Sequence, residues 1–359
     1  MNERLRKIVS TQIPKPVLGV KERLDMRLAK FCARNGRLAS LYYLVFSRRF
    51  DREHLAVLRG RLSYERSLKE MGHSSPMLRR NIHRLEKGLV MQPRRHLFAE
   101  GFILETVRCF NAAQGVPGFL TAELRWARDV LDEYFEVVAP SAIVDEARRQ
   151  YALHRAPGAS EHVQNDSRRW KPYPVFARPD SDITFEAVVT LFSRRRSIRW
   201  FQEQVVPEDA IQKSIEAASL APSACNRQPF RFIVANGGAA ASRIAECAGG
   251  TIGFARQIPA VIVVVGDLSA YPYERDRHLI YIDASLASMQ LMLAAETLGL
   301  STCPINWPDV DSAETRLRGM LPLPPHERVV MLIAIGYAKR DGGIPYSQKK
   351  DASSIVQFL

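Results

Sequence analysis

The sequence predicts an α+β protein in which helices cover a mixed sheet and a mainly helical region precedes it. Three observations carry this. Residues 17–70 contain no Pro and little Gly, and their apolar side chains (Leu24, Leu28, Phe31, Leu38, Leu41, Leu44, Val45) recur at the three- and four-residue spacing of helices. The run 260–266 is almost wholly β-branched, and 329–336 is similar, as expected of strands buried on both faces. From residue 184 onward, helical and strand signals alternate.

A chain of 359 residues, 46% hydrophobic and 25% charged, suits about two domains and excludes disorder, collagen and coiled coil. The expected division is a mainly helical, basic domain at 1–154, a linker or extended arm at 155–182, and a second domain at 183–359. Ser75 and Pro76 read as a helix cap and first helical residue. Ile82, Leu85 and Leu89 fall on one side of the helix that follows. Residues 101–114 and 120–138 are expected helices, joined by the turn at 115–118. The Pro-rich arm carries Trp170, Tyr173 and Phe176, aromatic residues suited to docking rather than to a free linker. Beyond it, helices are expected at 184–193, 207–220, 239–248 and 278–298, and strands at 230–235, 260–266 and 329–336. The segment 299–307 is expected to be a loop.

Charge is uneven. Residues 1–100 carry 23 Lys and Arg against 9 Asp and Glu, whereas 101–359 carry 28 against 29. The basic stretch suits an anionic partner such as lipid headgroups, with no specific nucleic acid expected; a solvated helical surface explains the same charge. No apolar run approaches the ~18–20 residues of a membrane span. Residues 1–4 lead into no apolar stretch or cleavage pattern, so no signal peptide is expected. Five scattered cysteines form no CxxC, so neither a disulfide framework nor a zinc site is expected. A cytoplasmic protein, peripheral to the membrane through its basic stretch, is the expected setting.

Four segments carry groups that could hold a ligand. Arg194 to Arg199 packs cations and the Ser197 hydroxyl together, a combination that holds phosphate, although arginine runs are more often solvated. Pro222, Ser223, Cys225, Asn226, Gln228 and Pro229 form a polar loop between a helix and a strand. Neutral donors and acceptors in quick succession suit a heteroaromatic ring edge or a polyol; a plain turn with local side-chain bonds is the alternative. Cys225 has no neighbouring His in sequence and reads as inert or site-lining. Gly299 to Trp307 follows the long helix, and Lys349 and Lys350 form a basic pair near the end. No acid–base triad or metal-ligand spacing is evident. His278, beside Asp276 and Arg277, is either a substrate contact or a surface residue at a helix start.

In that order, these elements resemble the FMN-dependent nitroreductase family over residues 184–359: the run 195–201, then 221–223 through Asn226 to 228–230, then Gly299-Leu300 with Pro304, then the basic pair. The resemblance implies a nitroreductase-like α+β fold and a homodimer whose two FMN sites use both chains. By position, Arg195 and Ser197 match phosphate and ribityl contacts, with Arg196 beside them. Pro222, Ser223, Asn226 and Gln228 match the loop lining the isoalloxazine and ribityl chain. Pro304, Ile305 and Asn306 match a segment over one flavin face, with a backbone N–H near Asn306 donating to flavin N5. Lys349, with Lys350, stands where Arg is usual and lacks the bidentate fork. Trp307 is bulky for the substrate space. The implied activity is transfer of hydride or electrons from NADH or NADPH through FMN to a small electron-poor acceptor, flavin carrying the chemistry. The helical half is additional. It loosely resembles extensions found in proteins associated with bacterial cell-surface polysaccharide synthesis, so a flavin-binding adaptor at an anionic membrane surface or in such a complex is the rival reading.

Overall fold

The computed structural model describes residues 15–154 and 170–359, so the chain start and residues 155–169 of the expected 155–182 arm lie outside the described residues. The chain folds as two compact units, Met1–Ala56 and Val57–Leu359.

In the first unit, α1 (Lys15–Cys32) and α2 (Gly36–Tyr42) are followed by one wider helical turn, Tyr43–Ser47. Asn35 caps α2 by accepting the Leu38 N–H at 2.9 Å. Among the described residues few apolar side chains here are buried: Leu24, Phe31, Leu41, Leu44, Val45 and Phe46 are exposed, interleaved with Arg and Lys.

Helix α3 (Asp51–Ser67) leads into the second unit. There α4 (Pro76–Leu89), α5 (Ile103–Gln114), α6 (Thr121–Val137) and α7 (Ala142–Leu153) share one core. Ser75 caps α4, its hydroxyl accepting the Leu78 N–H at 3.2 Å, and Pro76 starts the helix. Leu78, Ile82 and Leu85 are fully buried against α5 and α6, as their spacing requires. The arm is described again from Trp170, whose backbone N–H donates to Asp129 on α6 at 2.7 Å and whose ring lies under Arg125. Tyr173 and Phe176 stay exposed.

The remainder alternates: α8 (Phe185–Arg194), α9 (Glu208–Ser219), β1 (Phe230–Asn236), α10 (Gly238–Ala245), β2 (Ala260–Asp267), α11 (Leu279–Thr297), β3 (Ser301–Asn306), α12 (Asp311–Arg318) and β4 (Glu327–Gly336). The strands form one sheet in the order β1-β2-β4-β3, antiparallel at every pairing. The parallel component is a single bridge, Ser197 to Thr302. Even-numbered residues of β2 (Ala260, Ile262, Val264) face α9 and α11; odd-numbered ones (Val261, Val263, Val265) face α10 and α12. Two buried faces explain the unbroken β-branched run. Gly266 is required where α11 approaches closely, since a Cβ there would stand 2.9 Å from that of Ile280.

Two sequence expectations change. Residues 301–306 form the edge strand β3 rather than a loop; Pro304 hides the strand signal, yet an edge strand tolerates a missing N–H. The stretch Glu274–Thr297 is long and apolar enough to cross a membrane, contrary to the reading of the sequence, but Ala284, Ala287, Leu291 and Ala295 pack it on the sheet.

Candidate active site

The loop joining α9 to β1 is tightly determined. Cys225, Asn226 and Gln228 all have left-handed backbones, with φ of 53°, 51° and 50°. Non-glycine residues adopt this at a cost of about 1–2 kcal/mol each, so the surroundings must hold them there. From within, Ser223 Oγ accepts the Gln228 N–H at 3.0 Å and Asn226 Oδ1 accepts Gln228 Nε2 at 3.1 Å. From α11, Asp283 Oδ2 accepts the Ala224 N–H at 3.0 Å and the Tyr271 hydroxyl at 3.1 Å. Burial pushes the Asp283 carboxyl up, opposed by the bonds from Ala224 and Tyr271 and by Arg227. Arg227 lies 4.8 Å over the Tyr271 ring, and its Nε is buried with no hydrogen-bond partner.

A second cluster forms where α8 ends. Arg195 closes that helix through its N–H to Leu191 O at 3.0 Å. The chain then runs beside β3: Ser197 bridges Thr302, and the Ile198 N–H donates to Thr302 O at 3.0 Å. Arg195 Nε and Thr302 Oγ1 are both buried without a partner. The Cys303 thiol is pushed up by burial, while Arg199, Ser197 and Arg195 act in the opposite direction. Two guanidinium groups and a hydroxyl therefore gather around one stretch of β3. Orphaned buried donors cost free energy unless something accepts from them. A phosphate is the anion this set suits.

The Nitroreductase family profile matches residues 192–252 and 246–337, which contain both clusters. A relative from Archaeoglobus fulgidus, provisionally named an NADH dehydrogenase/NAD(P)H nitroreductase, is 33% identical over 162 residues, covering 43% of this chain and 87% of its own. The chain belongs to the nitroreductase family. A Thermus thermophilus NADH dehydrogenase is 29% identical over 180 residues, covering 42% of this chain and 85% of its own. An FMN-dependent nitroreductase structure from Clostridium difficile aligns with a TM-score of 0.41 at 27% identity, covering 47% of this chain and 98% of its own. As a nitroreductase-family protein the chain is an oxidoreductase, and the helical region is additional to the family segment.

Within this nitroreductase segment the sequence-selected residues separate into groups. Arg195 and Ser197 meet at the phosphate-suited cluster. Arg196 turns to the C-terminal segment, where its Nη2 donates to the carbonyls of Pro345, at 2.7 Å, and Tyr346. Ser223, Asn226 and Gln228 share the strained loop, with Pro222 exposed at its start. Pro304 is half-buried and Asn306 exposed on β3, an edge strand with one side free of β4. Ile305 points into the core instead of toward a ligand. Trp307, expected at the substrate space, is likewise a core residue, its indole N–H donating to Glu314 Oε2 at 3.1 Å. His278 is exposed at the start of α11 and makes no side-chain cap bond. Lys349 and Lys350 are exposed on the segment that Arg196 tethers. Arg199 and Thr302 fell within candidate segments but were given no role of their own, and Asp283 was passed over. Asp283 carried a usable signal, a carboxylate near the start of a largely apolar helix whose other one, Glu296, stands at its far end.

Proposed function

We propose that the chain is an FMN-dependent oxidoreductase that moves hydride or electrons from NADH or NADPH to a small electron-poor acceptor. The observation that carries this is Arg195 Nε, buried and unpartnered beside Ser197 within the family segment. These residues fit FMN: Arg195, Arg199 and Ser197 would hold its phosphate, and the loop 222–228 would lie along its ribityl chain and ring. FMN, when bound, supplies the hydride and electron transfer. The chain's own task is to bind and orient, so no acid–base triad is required. The names of the relatives from A. fulgidus and T. thermophilus support a nicotinamide donor.

The reading includes a homodimer. Phe185, Val189 and Phe192 on α8, and Ile282, Leu286 and Met289 on the neighbouring α11, leave apolar stripes exposed. A second copy of the same surface is the partner such stripes suit. It also includes a cytoplasmic setting with residues 1–100 against an anionic membrane surface.

The test is the visible spectrum of the purified full-length protein. Flavin absorption that bleaches with NADH or NADPH and returns with an electron-poor acceptor is the expected result. A protein that takes up no FMN when supplied with it overturns the reading.

A further inference from the structure

Within the second unit the helical region contacts the nitroreductase segment, and three of these contacts matter here. Gly60 on α3 lies against the Leu268 turn, where a Cβ would stand 2.7 Å from Leu268 Cβ. Arg61 pairs with Glu274. Arg79 on α4 donates from Nε to the carbonyl of Asn226 at 2.8 Å. The last contact falls on the middle of the strained loop, at one of its left-handed residues.

Arg79 is itself held. Its Nη1 lies 3.1 Å from Glu123 Oε2, and its guanidinium sits 5.4 Å from the Trp126 ring centre. The Glu123 side chain is 1% exposed, and it also accepts the Ser74 hydroxyl at 2.6 Å and the Ser75 N–H at 3.0 Å. A buried carboxylate with three donors is a fixed anchor. Its fork leaves Arg79 one edge for Glu123 and another for Asn226. Asp283 fixes the Ala224 end of the same loop. The loop is thus gripped at its first turn from α11 and at its middle from α4.

We infer that Arg79, anchored by Glu123, is a positioning residue for the cofactor loop, so that the helical region completes the flavin site of this chain. The inference rests on the reading of 222–228 as flavin-contacting for its consequence, though not for the clamp itself. Arg79 touches the loop rather than the reacting atoms; its effect is to keep Cys225, Asn226 and Gln228 in conformations the free chain disfavours. A lysine at this position keeps the charge but carries all three of its donors on one nitrogen, so it cannot serve both acceptors in the same geometry.

Two measurements on the full-length chain test this. The first is amide hydrogen exchange over residues 224–228 without added cofactor. Arg79→Ala should speed exchange there at least about tenfold, and Arg79→Lys should recover part of the protection. The second is FMN affinity by flavin fluorescence titration, expected to weaken about tenfold or more in Arg79→Ala. Ser141→Ala removes the α7 cap, whose hydroxyl accepts the Val144 N–H, and loosens the helical region away from the loop. It should leave both readings unchanged. Unchanged loop exchange in Arg79→Ala, or an equal effect of Ser141→Ala, overturns the clamp. Faster loop exchange in Arg79→Ala, together with a wild-type protein that takes up no FMN, leaves the clamp standing and overturns the flavin reading instead.

Discussion

Asp283 accepts the backbone N–H of Ala224 at 3.0 Å, joining helix α11 to the strained loop. The carboxylate is buried on α11 and also takes the Tyr271 hydroxyl. Asp283→Ala leaves both donors without an acceptor, which should destabilise the protein by about 3 kcal/mol. Asp283→Asn preserves an acceptor and isolates the charge. Because burial raises the folded-state pKa of Asp283 above the ordinary carboxylate value, its contribution is present below about pH 4 and is lost as pH rises through the raised value. Urea unfolding of wild type and Asp283→Asn across pH 3–7 should therefore show wild type losing ground to the variant as pH rises. A difference that is flat with pH refutes this.

Arg195→Ala should lose FMN more than it loses fold. The buried Nε has no protein partner to forfeit, so stability changes little. A charge-assisted bond to phosphate is worth about 1.5–3 kcal/mol, which is roughly a ten- to hundredfold weaker site. Full flavin retention at unchanged affinity would place the phosphate elsewhere.

Leu286 lies between Ile282 and Met289 on the exposed stripe of α11. Leu286→Glu puts a charge in the middle of the proposed dimer contact and should weaken self-association roughly a hundredfold. Sedimentation at micromolar concentration checks this, with a shift to monomer expected. A wild-type protein that already sediments as a monomer with its flavin ends the dimer proposal.

Exposed Leu24, Phe31, Leu44 and Phe46 stand among the arginines and lysines of the first unit. Full-length protein should bind anionic vesicles and ignore neutral ones, with affinity falling roughly tenfold from low to physiological salt as screening shortens the range to about 8 Å. Equal binding to both vesicle types removes the electrostatic part.

The elements from Ser75 to Gly336 were readable wherever local chemistry decided them. Ser75-Pro76 announces a helix start because cap and first residue are adjacent in sequence, and 260–266 announces a buried strand because both faces need apolar side chains. Strand β3 was not readable, since Pro304 and the polar Ser301 and Thr302 give it a loop's composition while pairing with β4 makes it a strand. Arg195, Ser197 and the loop around Asn226 could be picked out as candidates because each group is close together in sequence. Trp307 was misplaced because burial against Glu314 is decided by α12, not by its neighbours in the chain. The Arg79–Asn226 bond spans 147 residues and has no local signature at all.

Gly60 gives a last test, in which helix propensity and packing have opposite signs. It lies inside α3, where replacing Gly by Ala ordinarily gains about 1 kcal/mol. At this position, however, the added methyl would stand 2.7 Å from Leu268 Cβ and 2.9 Å from the Leu268 carbonyl carbon and oxygen. Two of those three atoms are backbone, so the clash cannot be relieved by a side-chain rotation. The turn after β2 or the helix itself must move, and overpacking of this kind costs about 1–3 kcal/mol. Packing should win. Gly60→Ala is expected to lower the urea midpoint, with a slope unchanged from wild type. A stabilised variant would mean that α3 and the Leu268 turn are not in contact in solution.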